Sequence, residues 1–180
     1  FLSSIGGARM LVVKTLLAEG GAATKDQVIA PSEGDIRSFA WAKNDRLILA
    51  VRGVGRRLKG YNLPGSDISE ERRLLAVDLD GGNSREIGRR RLPNRLMESR
   101  LGDLVMGTLP DDPDNILMLI QETAANYASV ARVNVRTGER DTVQVARPYV
   151  TGWIAGPDGT VRAGVKIRDS VITIIAPDGK

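Results

Sequence analysis

Along the chain, short stretches rich in aliphatic and β-branched residues are separated by clusters of Gly, Asp, Asn and Pro. Residues 9–15 form the first such stretch, which breaks at Gly20-Gly21 and resumes at Gln27-Val28-Ile29, the pattern of a hairpin. Residues 36–41 alternate apolar and polar positions, a turn falls at Lys43-Asn44-Asp45, and residues 47–51 are a buried-strand candidate. The same rhythm runs through 74–79 and 85–87 around the turn Asp80-Gly81-Gly82-Asn83, and through 104–108 and 116–120 around 110–115. It continues through 130–135 and 142–145 around 136–139, then 149–153, 161–167 and 171–175. Helical spacing is rare and nearly every segment is of strand length, so the predicted class is all-β.

Two turn signatures recur. One follows a Trp-bearing strand, at Trp41 and again at Trp153, with an Asp/Asn turn and then an aliphatic strand. The other reads aliphatic, polar, aliphatic, two residues, Gly, over 77–82, 133–138 and 174–179. Its glycines recur at intervals of roughly 40 to 55 residues, near the period of a four-stranded propeller blade. The predicted fold is therefore a section of a β-propeller made of four-stranded antiparallel blades and spanning 1–180. In that phasing 9–30 is the outer hairpin of one blade, 36–87 a blade, 103–145 a second blade and 149–179 an incomplete blade. Residues 52–71, with Gly53, Gly55, Gly60, Pro64 and Gly65, read as an insertion loop. An open blade leaves an apolar face and a strand edge uncovered, which predicts self-association through those edges. Phe1 to Gly7, with neither a positive n-region nor a sustained apolar run, reads as a cut end rather than a signal peptide.

Composition narrows the chemistry. The 180 residues include no His and no Cys, which excludes Ser-His-Asp and Cys-His nucleophile systems, imidazole or thiolate zinc sites, redox thiol pairs and disulfides. No cofactor is expected, and the lack of cysteine suits bacterial cytoplasm and periplasm alike. The longest central apolar run, Ile116 to Ile120, is far short of the ~20 residues of a membrane span, so no membrane partner is expected. Lys and Arg number 26 against 22 Asp and Glu, a net charge of +4, but only Arg89-Arg90-Arg91 with Arg95 and Arg100 is a local concentration. With aromatics at 4% there is little to stack on bases; the cluster reads as a solvated loop and nucleic acid is not an expected partner.

Phe39 to Ile48 followed by Leu74 to Gly82 resembles the propeller of bacterial prolyl oligopeptidase-family serine peptidases of the acylaminoacyl-peptidase and dipeptidyl-aminopeptidase type. Leu109 to Leu117 and Tyr127 to Gly138 fit the same pattern, and the related TolB-type propellers share the Trp-bearing strand and the Pro-Asp-Gly turns. What the resemblance implies is a propeller that caps a C-terminal α/β-hydrolase domain and admits small peptides. The partners implied are that hydrolase domain and its peptide substrate. This chain holds no G-x-S-x-G elbow and no His, so no catalytic residue is carried over and its expected role is gating. The alternative is a TolB-type propeller that binds proteins and has no enzymatic activity.

Other motifs read as structure. Arg52 to Gly60 suggests a phosphate-binding glycine loop, but Leu58 stands where the dinucleotide fingerprint needs Gly, and no Gly-Lys-Ser/Thr follows. Asp78-Leu79-Asp80-Gly81 and Asp111-Asp112-Pro113-Asp114 cluster carboxylates, yet both fall at turns and lack the remaining ligands of a calcium loop. Trp41 and Trp153, at equivalent places in two repeats, are expected to pack between blades. No catalytic, cofactor-binding or metal-binding residue is nominated.

Overall fold

The computed structural model describes residues 1–14, 26–32, 34–43, 45–54, 70–87, 104–120 and 127–178. Among them every regular element is a strand: β1 (Leu2–Ile5), β2 (Ala8–Val13), β3 (Gln27–Ile29), β4 (Asp35–Lys43), β5 (Arg46–Val54), β6 (Glu70–Asp78), β7 (Arg85–Ile87), β8 (Leu104–Thr108), β9 (Asn115–Ile120), β10 (Ser129–Asn134), β11 (Arg140–Gln144), β12 (Val150–Ala155), β13 (Val161–Arg168) and β14 (Val171–Ile175). They form four antiparallel sheets in the orders β1-β2-β3, β4-β5-β6-β7, β8-β9-β10-β11 and β12-β13-β14. Every sheet is an open meander of consecutive strands. The chain divides into two compact units, Phe1–Ser84 and Arg85–Lys180.

In the first unit the core is built on aliphatic strand residues. In β5 the residues Leu47, Leu49 and Val51 enter one core with Leu11, Ile29, Ile36 and Val77, which stacks the β1-β2-β3 sheet on the β4-β5-β6 strands. Intervening Ile48 is also buried, so β5 is covered on both faces and reads as a nearly continuous apolar run. In the second unit Leu117, Leu119 and Val130 of one sheet meet Val150, Trp153 and Val161 of the next. Each such aliphatic side chain stabilises the fold by about 1.5–3 kcal/mol through burial.

Cross-strand register identifies equivalent positions in three sheets. Trp41 lies opposite Leu47, which lies opposite Val77. Thr108, Ile116 and Val133 stand in the same relation, as do Trp153, Gly164 and Ile175. The turns that follow Val77 and Val133 are alike too. Gly81 N–H donates to Asp78 O at 2.9 Å and Gly138 N–H to Asn134 O at 2.8 Å, both glycines at positive φ. That left-handed position is why glycine stands in each of these turns, which join the third strand of a sheet to its fourth.

Several expectations need correction. Residues 1–7 contribute a strand that the sequence pattern did not place: β1 pairs with β2 through a Gly6-Gly7 turn, so the first sheet has three strands and includes residues before 9. Tyr149 is not a strand residue; it sits in a turn at φ 67, and β12 starts at Val150. Positions 52–54 and 70–71, placed in an insertion loop, extend β5 and β6, with Arg52 opposite Arg72 and Val54 opposite Glu70. The rest of that loop, 55–69, lies outside the described residues, as does the arginine cluster at 89–100. Trp41 is not core: it is 52% exposed, against 6% for Trp153.

Candidate functional site

The chemistry-bearing residues sit at the turns. Arg46, the first residue of β5, is fully buried opposite Asp78 of β6. Its guanidinium donates to Asp78 Oδ1, to Ala76 O at 3.3 Å and to Asn83 O at 2.9 Å. The other carboxylate oxygen of Asp78 accepts from Asn83 Nδ2 at 2.6 Å, and Asp80 Oδ1 accepts from Gly82 N–H at 2.7 Å. Asn83 holds a positive φ of 46 that side chains rarely adopt, so the buried guanidinium and Asp78 fix a strained turn from both sides.

In the second unit, three arginines neutralise the turn carboxylates. Asp112 accepts from Asn115 Nδ2 at 2.7 Å and lies 3.4 Å from Arg132. Asp114 accepts from Arg136 Nε at 3.0 Å. Asp158 accepts from the backbone N–H and the hydroxyl of Thr160 at 3.1 and 2.9 Å, and from Arg162 at 2.8 Å. The Thr160 amide and hydroxyl, with a smaller contribution from Arg162, hold its carboxyl below the usual carboxylate range. Gly159, at φ 80, brings this turn against the preceding sheet: an added Cβ would lie 3.0 Å from Leu109 Cδ2 and 3.5 Å from an Arg132 nitrogen.

These carboxylates are engaged by turn hydrogen bonds and by arginines of neighbouring strands and turns. Among the described residues no group of three or more Asp or Glu is placed to hold a metal ion. Arg52 belongs to a strand, and its carbonyl oxygen would lie 2.2 Å from a Cβ built on Gly34, a close backbone packing rather than a phosphate cradle. Residues 55–60 of that motif lie outside the described residues.

The two tryptophans differ for a local reason. Trp153 lies over Gly164, where an added Cβ would come within 2.8 Å of the indole, and its Nε1–H donates to Ala128 O at 2.7 Å. Ala128 immediately precedes β10, so the carbonyl that holds the ring comes from the β8–β11 sheet's side of the core. Trp41 faces Leu47 instead of a glycine, and in the sheet it faces β1 and β2 are joined by two glycines only. A Gly opposite Trp153 and a Leu opposite Trp41 is the signal in the sequence that separates them. Arg46 escaped sequence reasoning because a strand-initial arginine resembles any solvated one until register sets it opposite Asp78.

No family model matches the chain, and no curated protein or solved structure matches it either. What the arrangement supports chemically is therefore read from the residues alone: ion-paired turns that fix loop shape, with no nucleophile–base pair among them.

Proposed function

We propose that this chain is a non-catalytic section of a β-propeller that gates access to the α/β-hydrolase domain of a prolyl oligopeptidase-family serine peptidase, that domain lying outside these residues. The observation that carries the reading is the repeated register, Trp41–Leu47–Val77 and Trp153–Gly164–Ile175, set in open meanders of three or four strands. Such meanders, repeated at blade-like intervals, are the building unit of propellers. The lack of any histidine favours a role in access and positioning over one in bond making. The hydrolase domain would be the principal partner and short peptides the substrate that passes.

The test is to read the parent gene on both sides of the codons for residues 1–180. A frame that continues into G-x-S-x-G, followed by Asp and then His, supports the gating role. Further blades and a stop codon instead would transfer the assignment to a protein-binding propeller of TolB type. Independently, the purified chain should not cleave peptides; cleavage blocked by a serine-directed reagent would overturn the proposal.

A further inference from the structure

Among the described residues, Asn83, Tyr149, Asp169 and Ser170 hold a positive φ without being glycine. Three of these are small polar residues of the kind that tolerates the left-handed region, and Tyr149 is not. It follows Pro148 in a turn closed by Val150 N–H, which donates to Arg147 O at 3.1 Å. Proline in the second place and a φ of 67 in the third make this a type II turn, whose third place belongs to glycine. A tyrosine there strains the backbone, so its ring must contribute something that glycine cannot. What the ring touches is specific. Tyr149 O accepts from Ile167 N–H at 2.9 Å, which ties the turn to β13 one residue before Arg168. The ring meets that of Tyr127 at a centroid distance of 5.9 Å and a tilt of 56°, and the Arg168 guanidinium lies over it at 5.1 Å.

Arg168 is thereby held in place with its donors open. Gly164, Lys166 and Arg168 alternate onto the side of β13 that Trp153 covers, so Arg168 stands at one end of the core shared with the β8–β11 sheet. A guanidinium laid on an aromatic ring has its plane fixed while its N–H edge remains available for pairing. Its Nε faces Asp169 Oδ2 at 3.4 Å, and neither terminal nitrogen has a partner among the described residues. The side chain is 61% exposed, so a ligand can reach it. Two parallel donors in one plane match the two oxygens of a carboxylate. The Asp169 charge alongside favours a singly charged group over a phosphate dianion, which it repels more strongly. We infer that Arg168, held on Tyr149, binds the carboxylate of a short peptide. That the ligand is a carboxylate follows from the surroundings of Arg168, and that a peptide carries it rests on the gating role proposed above.

The experiment is an NMR titration of the purified chain with N-acetyl-alanyl-alanine, with its C-terminal amide and with N-acetyl-alanyl-glutamyl-alanine amide. The free acid is expected to bind and to shift the Tyr149 ring signals, and the alanyl amide is not. Binding of the glutamyl amide as well would assign the site to side-chain and terminal carboxylates alike; its failure would assign it to chain termini. Arg168→Gln should weaken binding about tenfold or more. Tyr149→Gly, which relieves the turn but removes the shelf, should do the same while keeping its β-sheet circular dichroism, and Tyr149→Phe should bind as wild type does. Equal binding of acid and amide overturns the inference, as does binding of neither. So does an affinity unchanged by Arg168→Gln or by Tyr149→Gly, and so does tighter binding of inorganic phosphate than of the free acid. None of these outcomes depends on whether the parent gene encodes a hydrolase, so either reading can fail while the other stands.

Discussion

At the scale of single residues, buried polar groups and ring environments dominate. Arg46→Ala removes the cation that satisfies Asp78, Ala76 O and Asn83 O, and it leaves Asp78 without its principal buried partner. Loss of one member of such a pair costs roughly 3–5 kcal/mol, and the partial exposure of Asp78 places the expected loss at the low end, read as a lowered urea midpoint. Trp153→Phe strands the Ala128 carbonyl and should cost about 1–2 kcal/mol, whereas Trp41→Phe should stay within about 0.5 kcal/mol. Equal costs at the two sites would contradict the difference in burial. Asp158 titrates below its ordinary value of 3.8, so its turn contacts contribute stability above that value and lose it as pH falls through the depressed native pKa. An NMR titration of its carboxyl carbon checks the direction, and Thr160→Val should move the midpoint back up.

At the scale of elements, hairpin turns set the register. β13 and β14 are joined by Asp169 and Ser170, both at positive φ as a two-residue type I′ turn requires. Left-handed backbone costs a non-glycine residue about 1–2 kcal/mol, so Ser170→Gly should raise the thermal midpoint, with an expected gain of about 1 kcal/mol. This hairpin was only half legible in sequence: Val171 to Ile175 was read as a strand, but Asp-Ser is not the Asn-Gly or Asp-Gly that announces such a turn. Strands buried on both faces, such as β5 and β9, were the easiest to read because aliphatic runs bounded by Asp, Asn and Gly have no other use in a chain without helical spacing. β1 was missed because Leu-Ser-Ser-Ile carries little apolar surface and its pairing depends on the Gly6-Gly7 turn. Among the site residues, turn carboxylates were legible as turn formers from their Gly and Pro neighbours. The exposed setting of Trp41 was not, since it depends on which side chain stands across the strand pair and on what the facing sheet provides.

At the scale of the molecule, the all-β architecture of open meanders was legible from the recurrence of the glycine turns, because each recurrence joins the third strand of a sheet to its fourth, β6 to β7 and β10 to β11. Its two described cores share no residue, the first running through Leu49 and the second through Leu119. Leu49→Ala and Leu119→Ala, each costing about 2–5 kcal/mol, should therefore add within about 0.5 kcal/mol in the double variant, as measured by chemical denaturation. A coupling larger than that would mean that the two cores respond as one. The same strand order bears on how the chain is made. Because every described strand pairs only with its neighbours in sequence, no described sheet waits for a distant segment to be synthesised. The β8–β11 sheet has all its members once Gln144 has left the ribosome, and its backbone ladder can close while the β12–β14 residues are still being translated. The face bearing Leu117, Leu119 and Val130 then stays wet until Trp153 arrives, which makes that interval the moment in the life of the chain when a chaperone has most to hold.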